Sequence, residues 1–284
     1  MKDSSLSLKA PAKINWFLNV LGRRDDGFHD IRSLIQKITL YDTLAFAPAD
    51  DLILQTDAPI PTEENLVYKA AALLKSRYGV REGALIHLDK NIPAGAGLGG
   101  GSSDAAAALA GLNELWSLSL SAEALCRAAA ILGSDIPFFL HGPLSFVSGR
   151  GENIIPCKAE KTLDILLVKP SFDVSTAWAY ENFSKLTKKT GKVDNIESII
   201  RSIERAEVDG MTGDLSNDLE TVTVESFPVI GEIKDRLAGE GAVVSLMSGS
   251  GPTVFGVFES RGRAEKAAGA FDGFWTAVVR TVAG

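Results

Sequence analysis

One run of residues has the clearest chemical potential: Pro93-Ala94-Gly95-Ala96-Gly97-Leu98-Gly99-Gly100-Gly101-Ser102-Ser103-Asp104-Ala105. Five of the seven residues from Gly95 to Gly101 are glycine, which permits positive φ and a close approach of backbone to a ligand. Ser102 and Ser103 stand where an Ala-rich helix, expected over residues 102–115, begins. A helix N-terminus presents unpaired N–H groups and the positive end of the dipole, so an anion such as a phosphate fits there. Ala105 to Ala108 leave no bulk in the way. A serine-capped flexible connection would also read this way, but such a connection seldom needs so many glycines.

The run lacks the marks of three common nucleotide loops. A P-loop places Lys directly after its last glycine, and here Ser102 follows Gly101. Gly191-Lys192 lacks the upstream glycine and the following Ser or Thr. Gly95, Gly97 and Gly100 satisfy G-x-G-x-x-G, but a dinucleotide fold needs a second strand ending in an acid about 20 residues further on, and a second helix follows instead. The strand lysine and catalytic-loop motif of protein kinases are missing too. Elsewhere, Lys13 and Asn15 share one face of a strand with Phe17 and Asn19; a solvated strand lysine is the ordinary reading of Lys13. Asp135 follows a helix-ending Gly133, where a turn-forming aspartate is one reading. Phe28-His29 closes the charged loop Gly22–Gly27 and pairs a stackable ring with an imidazole. His87, alternating with Leu85, and His141 read as structural.

Periodicity supplies the elements that must position these groups. Leu6, Leu8 and Ala10, then Ile14, Trp16, Leu18 and Val20, alternate as a strand bent at Pro11. Strands are expected at 31–47, 52–54 and 84–89. A helix over 63–78 carries Leu66, Ala70, Leu73, Leu74 and Arg77 on one stripe and ends at Gly79. A second helix, 121–132, buries Leu125, Ala128, Ala129 and Leu132, and a strand follows at 144–147. From Pro156 the pattern restarts: strand 163–168, helix 176–186, a polar loop 187–195, helix 196–205, helix near 227–238 with Pro228 in its first turn, strands 242–247 and 253–258, helix near 262–271 and strand near 275–282. That order suggests a ferredoxin-like α/β sandwich in the second half.

Composition bounds the function. The 284 residues are 45% apolar and 23% charged, an ordinary globular balance rather than disorder. A net charge of -7 argues against nucleic acid as the main partner while leaving room for a local anion pocket. Cys126 and Cys157 form no zinc spacing and no disulfide framework, and they suit reduced thiols. The three histidines are too scattered for a metal signature. No apolar run nears the roughly 18 residues of a membrane span, and no leader segment is visible. A soluble cytoplasmic protein is expected.

The Pro93–Ala105 run resembles the phosphate loop of the GHMP kinases, the superfamily of galactokinase, homoserine kinase, mevalonate kinase and phosphomevalonate kinase. Pro11-Ala12-Lys13-Ile14-Asn15 is similar to its N-terminal motif. Ser248-Gly249-Ser250-Gly251 is similar to its late glycine motif, which usually closes over the ATP phosphate loop. These three motifs stand in order over nearly the whole chain. Gly27-Phe28-His29, Gly97–Ser103, Gly133-Ser134-Asp135-Ile136-Pro137-Phe138 and Asn217-Asp218-Leu219-Glu220 resemble the branch that phosphorylates a cytidine diphosphate-linked methylerythritol on the non-mevalonate route to isoprenoids. That branch usually has Tyr where Phe28 stands, so a ring is kept and a hydroxyl lost. Asn217–Glu220 is a family marker to which no mechanism attaches at this level.

The resemblance implies a two-domain α+β fold: an N-terminal ribosomal-protein-S5-like, ATP-binding domain (1–156) and a C-terminal ferredoxin-like domain (157–284), with the active site in the cleft between them. It implies ATP, arriving as Mg-ATP, cradled by Pro93, Ala94, Gly95, Ala96, Gly97, Leu98, Gly99, Gly100, Gly101, Ser102 and Ser103, with no protein ligand assigned to the metal. Asp135 becomes the general base for a substrate hydroxyl, and Lys13 a cation that orients it and steadies charge on the reacting oxygens. Asn15 hydrogen-bonds the small-molecule substrate. His29 reads the cytosine edge while Phe28 and Tyr180 stack on its two faces. Positioning and charge neutralisation are most of what phosphoryl transfer needs, so this set is sufficient. A homoserine- or mevalonate-type kinase would share the loop without a cytosine site. A dinucleotide-binding oxidoreductase is the more distant alternative, and a non-catalytic relative would have lost Asp135 or Lys13.

Overall fold

The computed structural model describes residues 6–186, 195–208 and 215–284. All but the last residue of the polar stretch 187–195, read above as a loop, lies outside them. Two compact units divide the chain by contacts: Met1–Ala12, Leu40–Pro93 and Gly99–His141 form the first, and Lys13–Thr39, Ala94–Leu98 and Gly142–Gly284 the second. This grouping interleaves along the chain, whereas a boundary after residue 156 divides it by chain order.

Strands β1 (Leu6–Arg23) and β2 (His29–Ala49) contribute residues to both units. The first unit continues with β3 (Leu52–Thr56), a 3-10 turn (Thr62–Glu64), α1 (Leu66–Tyr78), β4 (Gly83–Asp89), α2 (Gly100–Leu115), α3 (Ala122–Leu132) and the single turn α4 (Ile136–Phe139). Thr43–Ala49 of β2 pairs antiparallel with β4, and β3 pairs parallel with β4; α1 is the crossover that a parallel pair requires. Asn65 caps α1 by accepting from the Val67 N–H at 2.9 Å, and Gly79 ends it in the left-handed region at φ 66°. The buried stripe of α1 is Val67, Ala70, Ala71 and Leu74. It is turned from the expected stripe, and Arg77 is exposed.

The second unit adds β5 (Leu144–Gly149), β6 (Asn153–Cys157), β7 (Asp164–Lys169), α5 (Thr176–Ser184), α6 (Ile196–Arg205), α7 (Asp218–Ser226), α8 (Val229–Gly239), β8 (Val244–Met247), β9 (Val254–Phe258), α9 (Arg261–Ala268) and β10 (Trp275–Arg280). Its four-stranded sheet runs β10-β7-β9-β8, every pair antiparallel. With helices after the first and third of these strands, this is the expected ferredoxin-like order. Leu166, Val168, Ile230, Ile233, Leu237, Ala264 and Phe271 share one apolar cluster with Leu18 and Val20 of β1. Ile31–Gln36 of β2 pairs with β5, and β5 with β6.

Three elements were not legible. β6 contains Pro156, tolerated because this strand pairs on one side only. α4 is too short to show a period. α7 follows an Asn217 cap with Asp218 and Glu220 in its first turn, a helix-start signal that the next helix overshadowed. The mixed α+β architecture holds. Among the described residues no helix is long and apolar enough to cross a membrane.

Candidate active site

The glycine run is held by its carbonyls. Gly95, Gly97 and Gly99 have φ of 58°, 75° and 72°, and between them Ala96 and Leu98 turn inward to 2% and 1% exposure. The Gly95 carbonyl accepts from the Val174 N–H (3.5 Å), Ala96 from the Thr253 N–H (3.3 Å), and Leu98 from the Lys13 N–H (2.9 Å). The Ser248 hydroxyl donates to the Gly97 carbonyl at 3.0 Å. Among the described residues, the N–H groups of Gly95–Gly99 find no acceptor. The first N–H groups of α2 lack intrahelical partners for a general reason. The run therefore offers donors, as an anion site must. A Cβ on Gly97 would collide with the Ser248 carbonyl and lie 2.9 Å from that of Gly251, so only glycine fits.

α2 begins at Gly100, two residues before the expected start, because left-handed Gly99 serves as its cap. Ser102 and Ser103 thus lie within its first turn rather than capping it. The Ser103 hydroxyl and Asp104 Oδ1 are buried without a hydrogen-bond partner among the described residues.

Both faces of β1 are buried around Lys13, which is 5% exposed, so the solvated-lysine reading fails. Lys13 Nζ donates to Asn15 Oδ1 at 2.6 Å, Asn15 Nδ2 to Ser33 Oγ at 2.8 Å, and Ser33 Oγ to the Phe17 carbonyl at 2.5 Å. Asn15, itself 2% exposed, therefore fixes the ammonium. The Ser248–Pro252 turn approaches from the other side: a Cβ on Gly249 (φ 57°) would stand 2.8 Å from Lys13 Nζ and 3.0 Å from the Gly97 carbonyl. Lys13, Asn15, the Ala94–Leu98 stretch and the late glycine turn are thus brought together within the second unit. Sequence reasoning did not find Ser33.

In the first unit, Lys90 is clamped between two carboxylates. Its Nζ donates to Asp42 and, at 2.6 Å, to Asp104 Oδ2. Asp42 Oδ1 also accepts from the Asn91 and Ile92 N–H groups at 2.5 and 2.8 Å. Burial works against the Lys90 ammonium, but Asp104 and Asp42 outweigh it and raise its pKa. Burial pushes Asp104 from 3.8 to about 7; Lys90 opposes that rise and Asp42 adds to it. A proton on Asp104 keeps the buried cluster near neutral. A Cβ on Gly100 would stand 3.3 Å from Lys90 Nζ, so the cluster lies directly behind the start of α2. No sequence signal marked Lys90 or Asp42.

Asp135 precedes α4 at φ -84°, ψ -15°, with no side-chain cap bond. The turn is made by the Ile136 N–H on the Gly133 carbonyl at 3.3 Å. The carboxylate is exposed and makes no hydrogen bond or ion pair among the described residues, so it is not spent on shaping the turn.

His29 stacks on Tyr180, with ring centroids 5.0 Å apart at 23°, and its Nε2 meets Ser184 Oγ at 2.7 Å. Ser184 gives its one hydroxyl proton to the Tyr180 carbonyl at 2.8 Å. His29 Nε2 is therefore placed to donate to Ser184. Phe28 is half exposed, and Arg150 lies over its ring at 4.7 Å. Thus His29 and Tyr180 meet each other, while Phe28 carries a guanidinium on its face. Among the described residues no group of three or more His, Cys, Asp or Glu is placed to hold a metal ion.

The chain is similar to known proteins. Residues 65–143 match the family described as GHMP kinases N terminal domain, and residues 194–277 that described as GHMP kinases C terminal. Both domains of that class of kinase are present. The homoserine kinase of Cytophaga hutchinsonii shares the fold, with a TM-score of 0.75 at 18% identity over 100% of this chain and 96% of that one. The 4-diphosphocytidyl-2-C-methyl-D-erythritol kinase of Thermodesulfovibrio yellowstonii is 47% identical over 281 residues, 98% of each chain. That of Geobacter metallireducens is 43% identical over 286 residues, 96% of this chain and 98% of the relative. A crystal structure of 4-(cytidine 5'-diphospho)-2C-methyl-D-erythritol kinase matches with a TM-score of 0.86 at 33% identity, over 98% of this chain and all of that one. The chain belongs to the 4-diphosphocytidyl-2-C-methyl-D-erythritol kinase family, within the GHMP kinases.

Proposed function

We propose that the protein transfers the γ-phosphoryl group of ATP to the 2-hydroxyl of 4-diphosphocytidyl-2-C-methyl-D-erythritol, a step of isoprenoid precursor synthesis. The supporting observation is full-length likeness to kinases of that name, 41–47% identical, in a chain whose glycine run commits its carbonyls and leaves its N–H groups unbonded. In chain order, residues 1–156 form the ATP-binding domain and 157–284 the C-terminal domain.

Pro93–Ser103 hold the triphosphate. Ala96 and Leu98 anchor the backbone, and the N–H groups of the glycines and of the first turn of α2 receive the phosphate oxygens. Magnesium arriving with the nucleotide supplies neutralisation of phosphate charge, and Ser102 and Ser103 are the hydroxyls at α2 that would hold it. Lys13, immobilised by Asn15, places a fixed positive charge against the reacting oxygens. Asp135 accepts the proton of the substrate hydroxyl as the new O–P bond forms and the bond from the γ-phosphorus to the ADP oxygen breaks. Asn15 orients the substrate.

The imidazole of His29, held by Tyr180 and Ser184, reads the cytosine edge, and Phe28 and Tyr180 supply apolar faces for the base. The location is cytoplasmic, in keeping with two free cysteines. A net charge of -7 speaks against nucleic acid as a partner. The test is ADP release with the cytidyl substrate, against mevalonate and homoserine. Turnover of the first alone is expected, and turnover of another in its place refutes the assignment.

A further inference from the structure

The Asn217-Asp218-Leu219-Glu220 run reaches back onto the late glycine turn. Asn217 is 5% exposed. Its Nδ2 donates to the carbonyls of Met247 and Gly249 at 2.8 and 2.7 Å, and its Oδ1 accepts from the Leu219 N–H at 3.0 Å, capping α7. Both amide protons and the oxygen are therefore engaged. Glu220 Oε2 accepts from the Met247 N–H at 2.8 Å, and its other oxygen pairs with Lys234. Asp218 Oδ2 accepts from the Val20 N–H at 2.7 Å, tying the same helix start to β1.

The turn between these anchors is fastened at Ser248, whose N–H donates to the Thr253 carbonyl at 2.9 Å, and at Gly251, whose N–H donates to the Ser248 carbonyl at 2.9 Å. The N–H groups of Gly249 and Ser250 have no acceptor among the described residues. Carbonyl and N–H point in opposite directions across a trans peptide. Pinning the Gly249 carbonyl to Asn217 therefore turns the Ser250 N–H away from α7. On its inner side the turn lies against Lys13 Nζ and the Gly97 carbonyl, as the close Cβ approaches at Gly249 require.

We infer that Asn217 and Glu220 are positioning residues for the nucleotide phosphates. They hold the Ser248–Gly251 turn in the one orientation that presents its N–H groups beside Lys13 and the Ala94–Leu98 stretch, where an anion is received. This rests on the ATP-dependent reading above. A purely structural helix cap would need Asn217 Oδ1 alone. The two Nδ2 bonds and the Glu220 bond to Met247 constrain the turn, not the helix.

The variants separate the two roles. Asn217→Asp keeps the cap oxygen and turns a carboxylate oxygen on two carbonyls. Asn217→Ser keeps a capping hydroxyl and loses both Nδ2 bonds. Glu220→Ala removes the acceptor for Met247, and Glu220→Gln restores one. KM for ATP is expected to rise at least tenfold in Asn217→Asp and severalfold in Asn217→Ser and Glu220→Ala, and to return within about threefold of the parent in Glu220→Gln. KM for the cytidyl substrate should stay within twofold throughout. ADP affinity by calorimetry should fall in step with the ATP effect. A lowered melting temperature with unchanged KM for ATP and unchanged ADP affinity would reduce both residues to structural ones and overturn the inference. Should Asn217→Asp not fold, the Glu220→Ala and Glu220→Gln contrast decides alone. A parent that binds ADP but does not turn over the cytidyl substrate refutes the substrate assignment, and the ADP titrations still test the positioning role.

Discussion

Replacing Gly97 by Ala tests the phosphate cradle with a single methyl group. Gly97 sits at φ 75°, where an L-residue costs roughly 1–2 kcal/mol. The new Cβ would also run into the Ser248 carbonyl and stand 2.9 Å from the Gly251 carbonyl. Both obstacles are backbone, so no side-chain rotation relieves them, and overpacking of this kind costs about 1–3 kcal/mol. A total near 2–5 kcal/mol is best relieved by the run leaving this conformation, at the expense of the bonds from Ser248 Oγ to Gly97 and from the Thr253 N–H to Ala96. Apparent affinity falls with the competent fraction. At 1.4 kcal/mol per decade, 2 kcal/mol already lowers ATP affinity about 30-fold. Steady-state kinetics with varied ATP should therefore show KM raised about 30-fold or more. CDP binding by calorimetry should be unchanged, since His29 is held by Tyr180 and Ser184 and Phe28 lies under Arg150. A KM for ATP within threefold of the parent would refute the reasoning. Gly101→Ala is the stability counterpart: its Cβ meets only Leu66 at 3.8 Å and relieves a helical glycine by about 0.5–1 kcal/mol, so the melting temperature should rise by about 1–4 °C.

Asp135→Asn keeps shape and removes basicity, so kcat should fall about 10²–10⁴-fold with KM for both substrates near parental values; near-normal kcat removes Asp135 from the role. His29→Ala should raise KM for the cytidyl substrate and narrow its advantage over the uridyl analogue, since edge contacts rather than stacking discriminate the bases; an unchanged ratio of kcat/KM values clears His29. Asp104 titrates near 7 when folded against 3.8 ordinarily. Between about pH 4 and pH 7 the folded state therefore keeps a proton that the unfolded chain has lost, and stability falls as pH rises through that window. Asp104→Asn, which mimics the protonated form, should flatten the melting temperature across that range relative to the parent; equal slopes would place the proton elsewhere.

Local geometry was legible here wherever it depends on residue type at fixed spacing. The glycine run, the Lys13 and Asn15 face, the Gly133-Ser134-Asp135 turn and the strand-helix order of the second half apart from α7 declare themselves locally, because φ preference, strand alternation and helix caps act within a few residues. The start of α2 was misplaced by two residues for the same reason. Serine is the commoner cap, and only the left-handed Gly99 displaces it.

What stayed hidden depends on partners far apart in sequence. Nothing near Lys90 announces that Asp42, 48 residues earlier, and Asp104, 14 residues later, will share its ammonium. A lysine ending a strand reads as solvated until burial makes an unpaired charge costly. Asn217 shows the same limit more sharply. Its cap on α7 is a local signal, yet its two amide protons are spent 30 and 32 residues away on Met247 and Gly249. The short polar run that looked like a mere marker is the piece that commits the carbonyl side of the late turn, just as Val174, Thr253, Ser248 and Lys13 commit the carbonyls of the first glycine run. In both loops the proposed anion site is built in the same way: scattered side chains and strands take up the oxygens, and the backbone N–H groups are left without an acceptor.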